Sequence, residues 1–331
     1  MKETITYIFR KPDPKFKSIE GVFNHIKAMI GLQTKTSTMH LKSLGGGLST
    51  LWSNVSTFKR DKDTIYHITG DVHYMALVTG KKTVLTIHDV NSILKRDVIK
   101  KLYLKLFWFW LPAICVKRIT VISNFTKLEL EKIIPFAKHK ISVVNNPVNE
   151  LFAFSDYNFN QSQPRILLIG TKPNKNLEMV LKALSTIPSE IVLIGKPTDV
   201  QKKLVATLDL NFESRFNLSI NEVVEEFKKS DLLCFASTYE GFGMPIIEAQ
   251  AVGRPVITSN LGAMKEVAAD TAYLVNPHDL NSIRLGVKEI IENRPLRQDL
   301  IKKGLQNVER FKSENVAKEY MHIYRDVSSG N

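Results

Sequence analysis

The sequence predicts an α/β protein of two Rossmann-like, doubly wound parallel-sheet domains facing a cleft, and three observations predict it. Short β-branched runs alternate with longer helical stretches, the pattern of parallel strands joined by crossover helices. That rhythm breaks at a polar stretch holding two prolines and then restarts. The charge divides at the same place: up to Glu150 there are 24 Lys+Arg against 11 Asp+Glu, whereas from Leu151 on there are 22 of each.

In the first half "ITYIF", "TIYHIT", "TVLTIHD", "RITVIS" and "ISVVNN" read as strands. Between them lie helical segments such as "SIEGVFNHIKAMI" and "NFTKLELEKII", the second with Ser123 as its cap. Residues 1–148 thus form a first domain, the basic one, and 149–164 form a linker. Residues 165–312 form a second domain, with strands "RILLIG", "IVLIG", "LLCFAS", "PVITS" and "AYLVN". Helices near "NKNLEMVLKAL", "INEVVEEFKKS" and "HDLNSIRLGVKEIIE" separate them. A last amphipathic helix over 313–327 is expected to pack back on the first domain. In such sheets ligands bind beyond the carboxyl ends of the strands.

Two cysteines, Cys115 and Cys234, are too few and too far apart for a disulfide framework or a cysteine-based zinc site. The first residues, "MKETITYIFRKPD", lack the apolar core of a signal peptide, and no apolar run reaches the ~18 residues of a membrane span. A soluble, cytoplasmic chain is the expectation. The basic half admits an anionic membrane surface as a partner. Nucleic acid is not expected, because that half carries no recognised nucleic-acid module.

The most informative stretch is "STYEGFGMPIIEAQAVGRPVIT", from Ser237 to Thr258. A buried strand ends at Ser237, a glycine turn follows, and Pro245 opens a helix, a position for which proline is pre-organised. The open amides of Phe242, Gly243 and Met244 then point out of the helix mouth, where an anion binds well. Glu248 falls early in the helix, where the dipole favours its ionised form. With Glu240 in the turn, two carboxylates could hold two sugar rings with a phosphate between them. An acidic first turn that merely complements the dipole fits the same spacing.

This stretch resembles the signature of retaining glycosyltransferase family 4, whose fold is GT-B, and "GAMKEVAADTAYLVNPHD" is similar to that family's continuation, with Glu266 at its acidic position. The resemblance implies that Glu248 binds the ribose of a nucleotide-sugar donor and Glu240 the donor-sugar hydroxyls. It also implies that the amides of Phe242, Gly243 and Met244 face sugar and phosphate.

In "RILLIGTKPNKNLEMVLKAL" a strand ends at Gly170 and a basic loop carries Lys175 to the start of a helix, where an ammonium could neutralise a diphosphate. The family has an Arg and a Lys here. Lys175 matches the Lys, Thr171 stands in place of the Arg, and Lys172 is the residue that could compensate. From the residues alone a solvated lysine loop is the favoured reading, and the resemblance is what turns it toward a diphosphate. In "TIHD", His88 ends a strand, where imidazole could move a proton or bind a sugar hydroxyl; the string resembles the family's histidine at the donor sugar.

Asp71 and His73 of "ITGDVHYM", beside His67, could reach an acceptor, or Asp71 could simply cap a helix. Arg10, Lys11, Lys15 and Lys17 crowd the first strand-to-helix turn, where an anionic acceptor could dock; Ser18 and Glu20 read as a helix start. The glycines Gly45 to Gly47 lack the Lys-Ser/Thr of a P-loop. The Asp61-Lys62-Asp63 triplet imitates a metal-binding D-x-D, but it leads into a strand rather than out of one, so no metal site is assigned. In "LKRDVIKKLYLKLFWFWLPAICVKR" the tryptophans read as a packed crossover helix and the lysines as available to an anionic membrane surface.

The resulting expectation is a metal-independent, retaining transferase without a cofactor. It would move a sugar from a nucleoside-diphosphate donor to a carbohydrate or lipid-linked acceptor, with His88, Glu240 and Lys175 at the reaction centre. A sugar-nucleotide epimerase of the same shape and a membrane adaptor with a silent transferase fold are the rival readings.

Overall fold

The computed structural model describes residues 3–12, 18–94 and 97–329. From the amino end they form β1 (Thr4–Phe9), α1 (Ser18–Gly31), β2 (Thr36–His40), α2 (Leu48–Ser56), β3 (Thr64–Ile68), α3 (Ala76–Thr79) and β4 (Thr83–Ile87). Then come α4 (Asn91–Leu94), α5 (Val98–Leu104), a π-helical turn over Lys105–Trp110, α6 (Leu111–Cys115), β5 (Arg118–Val121), α7 (Asn124–Ile133) and β6 (Ile141–Val143). The alternation continues with β7 (Arg165–Ile169), α8 (Leu177–Leu184), β8 (Glu190–Ile194), α9 (Asp199–Thr207), β9 (Phe212–Arg215), α10 (Ile220–Lys229) and β10 (Leu232–Phe235). It closes with α11 (Met244–Ala251), β11 (Val256–Ser259), α12 (Gly262–Ala268), β12 (Tyr273–Val275), α13 (Leu280–Glu292), α14 (Arg294–Val308) and α15 (Ser313–Ser328).

The strands form two six-stranded sheets, ordered β2-β1-β3-β4-β5-β6 and β12-β11-β10-β7-β8-β9. Every pairing is parallel. Each sheet belongs to one compact unit. The first unit comprises the chain up to Pro147 together with the segment from Ser313 on, and the second comprises Val148–Lys312. In the first sheet β3 and β4 are buried along their whole length, as central parallel strands covered on both faces must be.

Apolar residues of α1 and α15 cover one face of the first sheet, packing Phe23 and Ile26 with Tyr320 and Tyr324 against Ile5, Tyr7 and Ile65. The other face holds Trp108, Phe109 and Ile134 against Ile8, Leu85 and Ile119. His67 on β3 is fully buried between β4 and α15: its Nδ1 lies 2.5 Å from Tyr324 Oη and its Nε2 2.7 Å from Thr86 Oγ1. Burial holds its pKa down at about 3, so the ring is neutral.

The stretch 149–164, read from the sequence as a linker, packs on the second unit. Phe152 meets Phe227 edge-on, and the guanidinium of Arg254 lies 3.7 Å from the Tyr157 ring centroid. Asp231 accepts the amides of Asn160 and Arg165 at 2.9 and 2.7 Å. Two strands had no counterpart in the sequence reading, β2 and β9, and both lie at a sheet edge.

Candidate active site

In the second unit β7 and β10 are hydrogen-bonded neighbours, so the loops leaving their carboxyl ends emerge side by side. The β7 loop turns at Gly170 (φ +85°), over which the Lys175 side chain is laid: a Cβ there would stand 3.0 Å from Lys175 Cγ and Cε. Pro173–Lys175 form a 3₁₀ turn, and Asn176 takes the left-handed conformation (φ 59°) that re-aims the chain into α8. Asn176 Nδ2 donates to the carbonyls of Ala236 (3.1 Å) and Pro277 (2.7 Å), fixing the loop to β10.

This brings together two of the residues singled out in the sequence. Lys175 Nζ lies 2.8 Å from Glu240 Oε1, with both side chains largely buried and the ammonium 4.7 Å from the Phe235 ring centroid. Asn174 Nδ2 donates to the same carboxylate oxygen (3.2 Å) and to Tyr239 O (2.9 Å), while Thr238 N donates back to Asn174 O (2.8 Å). The turn holding Glu240 is thus stapled to the lysine loop. Thr171, half-buried, accepts from Gln201 Nε2 through its carbonyl (3.1 Å), and Lys172 is exposed at the rim.

Gly243 caps α11 with φ +115°, a conformation that a side chain would strain, and Pro245 follows in the first turn. The first intrahelical bond runs from Ile246 N to Gly243 O (3.0 Å). The amides of Gly243 and Met244 precede it and find no acceptor among the described residues. Phe242 is buried and packs edge-on against Phe311, so only its backbone is available to a ligand.

Glu248 corrects one expectation. Its carboxyl is not held ionised by the helix dipole: burial pushes its pKa up to about 7, against an opposing pull from Lys175. Near neutral pH it is therefore poised between acid and carboxylate.

The first unit assembles the other candidates around one pocket of about 420 Å³, lined by Arg10, Asp71, His73, His88, Gly46 and Trp108 among others. It lies at the carboxyl ends of β1, β3 and β4. Arg10 Nε donates to Glu20 Oε1 at 2.8 Å and its NH1 lies 3.5 Å from the exposed Asp71 carboxylate. Asp71 caps no helix, since the short turn at His73–Met75 begins at Val72 without a side-chain cap. Lys15 lies outside the described residues.

His88 Nε2–H donates to Thr69 O (2.8 Å), and burial lowers its pKa. The ring is thereby held neutral with Nδ1 as the acceptor. His73 is buried, its Nδ1–H donates to Trp108 O (2.7 Å), and desolvation lowers its pKa to about 4. Trp108 in turn donates its indole N–H to Asp71 O (2.7 Å) and stands against Gly46.

The D-x-D triplet is a turn: Asp61 accepts from Asp63 N (2.9 Å) and Thr64 Oγ1 (3.1 Å), which uses its carboxylate locally. The sequence reading missed Asn174, Asn176 and Gly195. The signals were present in "NKN", where two amides flank the lysine, and in a second glycine ending β8, whose backbone (φ +149°) adjoins Gly170.

Residues 150–307 match the family described as Glycosyl transferases group 1. The chain is 26% identical over 254 residues to an uncharacterized glycosyltransferase of Methanocaldococcus jannaschii, covering 74% of this chain and 68% of that protein. It is 30% identical over 243 residues to the O-antigen chain mannosyltransferase RfbU of Salmonella typhimurium, covering 70% of this chain and 66% of that one. Among solved structures it superposes on a glycosyltransferase from Rickettsia africae with a TM-score of 0.76 at 18% identity, covering 100% of both chains. It superposes on Anabaena HepE in complex with UDP and glucose with a TM-score of 0.75 at 13% identity, covering 98% and 100%. Residues 150–307 thus belong to the glycosyl transferases group 1, and the chain, with its two six-stranded parallel sheets, has the GT-B fold.

Proposed function

We propose that the protein transfers a sugar, with retention and without a metal, from a nucleoside-diphosphate sugar to a hydroxyl of a carbohydrate or lipid-linked acceptor in the synthesis of a cell-surface polysaccharide or glycolipid. The observation that carries this reading is the meeting of Lys175 and Glu240 beside the open mouth of α11, with Glu248 one turn behind it. The open amides of Gly243 and Met244 supply fixed donors for phosphate oxygens, and Lys175 supplies the charge for a diphosphate as it leaves. Lys172 at the rim is the cation able to stand in for the missing arginine at Thr171. Glu248 takes the two hydroxyls of a ribose, and Glu240 takes hydroxyls of the donor sugar. In the first unit, His88 Nδ1 accepts from a sugar hydroxyl, and Arg10, Asp71 and His73 border the acceptor. The reading that HepE is crystallised with UDP and glucose and that RfbU is named a mannosyltransferase agrees with such a donor.

The test is calorimetric titration of UDP, GDP, ADP and dTDP into the wild type and into Glu248→Ala. One nucleotide binds well and the variant binds it more weakly by roughly 1–3 kcal/mol, the cost of losing a charged hydrogen bond. If none of the four binds, the donor reading fails.

A further inference from the structure

The first unit exposes an apolar face that its own fold leaves uncovered. On α2, Leu51 and Asn54 point inward, whereas Leu48 and Trp52, one turn apart, are 66% and 74% exposed. On α5 no residue is buried; Val98, Ile99 and Leu102 are 82%, 83% and 59% exposed. The two helices adjoin one rim. Tyr103 Oη donates to Gly46 O (2.8 Å), two residues before α2 begins, and Leu44, Gly46 and Leu104 all line the pocket that holds His88 and Asp71. Trp108 and Trp110 are turned away from this face, their indole N–H groups donating to Asp71 O and Ile133 O at 2.7 and 2.8 Å.

The chemistry around the apolar side chains is cationic. Helix α2 carries no charge, and the exposed Lys42 precedes it. Lys100 and Lys101 stand on α5 among Val98, Ile99 and Leu102, with Asp97 as the one acid at its start. The part of the chain that carries this face holds the entire positive excess. A tryptophan and aliphatic side chains with lysines beside them on α5 suit the headgroup boundary of an anionic bilayer, where apolar burial and charge attraction add. A second protein surface would leave the lysines unmatched unless it were acidic.

We propose that α2 and α5 form an interfacial face by which the first unit docks on an anionic lipid bilayer, with Trp52 and Ile99 as its anchors. On the proposed acceptor role of the pocket, this docking places the pocket's rim at the membrane surface, so that the acceptor is an amphiphile with its sugar hydroxyl in the pocket and its apolar tail along α2 and α5.

The test is co-sedimentation of the full chain with phosphatidylcholine vesicles, with and without phosphatidylglycerol. The expected result is binding to the anionic vesicles alone, weakened roughly tenfold or more in Trp52→Asp/Ile99→Asp, in keeping with the loss of two buried apolar side chains. Both positions are exposed, so circular dichroism and nucleotide titration should match the wild type. Lys100→Glu/Lys101→Glu should weaken binding at low salt and less at high salt. The proposal is overturned if the wild type stays in the supernatant or if the double aspartate variant sediments as the wild type does. It is also overturned if the face instead joins two copies, seen by ultracentrifugation as a dimer that the double variant splits. Vesicle binding without nucleotide binding would sink the transferase reading and leave this one standing; the reverse result would do the opposite.

Discussion

Lys175 and Glu240 come from loops 65 residues apart and meet at 2.8 Å where two neighbouring strands end. Each neutralises the other. On the proposed donor site, a nucleoside-diphosphate sugar would insert its diphosphate and its sugar into an existing ion pair, exchanging one charged contact for two. Such a pair holds both side chains ready, at little further ordering cost.

Replacing either partner leaves the other charged in a largely buried place. Lys175→Ala is expected to lower kcat by roughly 10²–10³, the scale of losing one preorganised electrostatic group. Lys175→Arg should restore part of the activity, and Glu240→Gln should mainly lower kcat while leaving nucleoside-diphosphate affinity nearly unchanged. Steady-state kinetics alongside nucleotide titration separates the two effects, and equal losses of affinity in both variants would contradict the assignment.

Nucleotide affinity should depend on pH through Glu248. The free carboxyl has a pKa pushed up to about 7, while two ribose hydroxyls need acceptor oxygens, which the ionised form supplies better. Binding near pH 7 should then release a proton, and affinity should rise between about pH 6 and pH 8. Titrations in buffers of different ionisation enthalpy read this directly. Glu248→Gln should bind more weakly and show no slope over that range.

The same group sets a stability profile in the absence of ligand. A carboxyl whose folded pKa lies above its unfolded one is neutral in the fold and ionised in the unfolded chain between about pH 4.5 and pH 7. Its contribution therefore falls as pH rises through that window and stays low above it. Glu248→Gln should be the more stable protein above pH 7, by up to about 3 kcal/mol from the size of the shift, and little different near pH 4. Denaturant midpoints at the two pH values check the sign.

His67 has the opposite linkage. Its folded pKa is depressed to about 3 by burial, so stability from the neutral ring is complete above about pH 6.5 and is lost as pH falls toward 3. His67→Ala should cost about 2–4 kcal/mol, by opening a cavity and removing one hydrogen bond each from Thr86 and Tyr324, which keep Thr120 and Tyr7 as partners. His67→Phe keeps the volume but not the bonds, and should remove the acid sensitivity in a thermal melt while remaining destabilised.

The alternation of buried apolar runs was legible because central parallel strands are apolar on both faces, as "TVLTI" and "LLCF" are. The two strands that escaped, "TSTMH" and "FESR", sit at sheet edges, have one neighbour each and keep polar side chains toward water. Pattern alone cannot tell such segments from loops. At the site, the mouth of α11 was legible in its glycines and Pro245, because those residues dictate backbone conformation locally. The Lys175–Glu240 contact and the raised pKa of Glu248 were not, since both depend on which loops the sheet order makes adjacent and on what then covers them. His73 read as an acceptor residue, and only the packing of Trp108 and Phe109 shows that it lines the pocket with its ring largely buried.

The return of α15 to the first unit has a consequence for the order in which the protein can be made. The second unit is one continuous stretch, Val148–Lys312, and all of it is synthesised before Tyr320 and Tyr324. Until those two tyrosines arrive, His67 Nδ1 lacks its partner, and the apolar face around Tyr7, Phe23 and Ile65 stays open to water. The first unit is therefore begun before the second is made and can be completed only after it, once the closing helix is available.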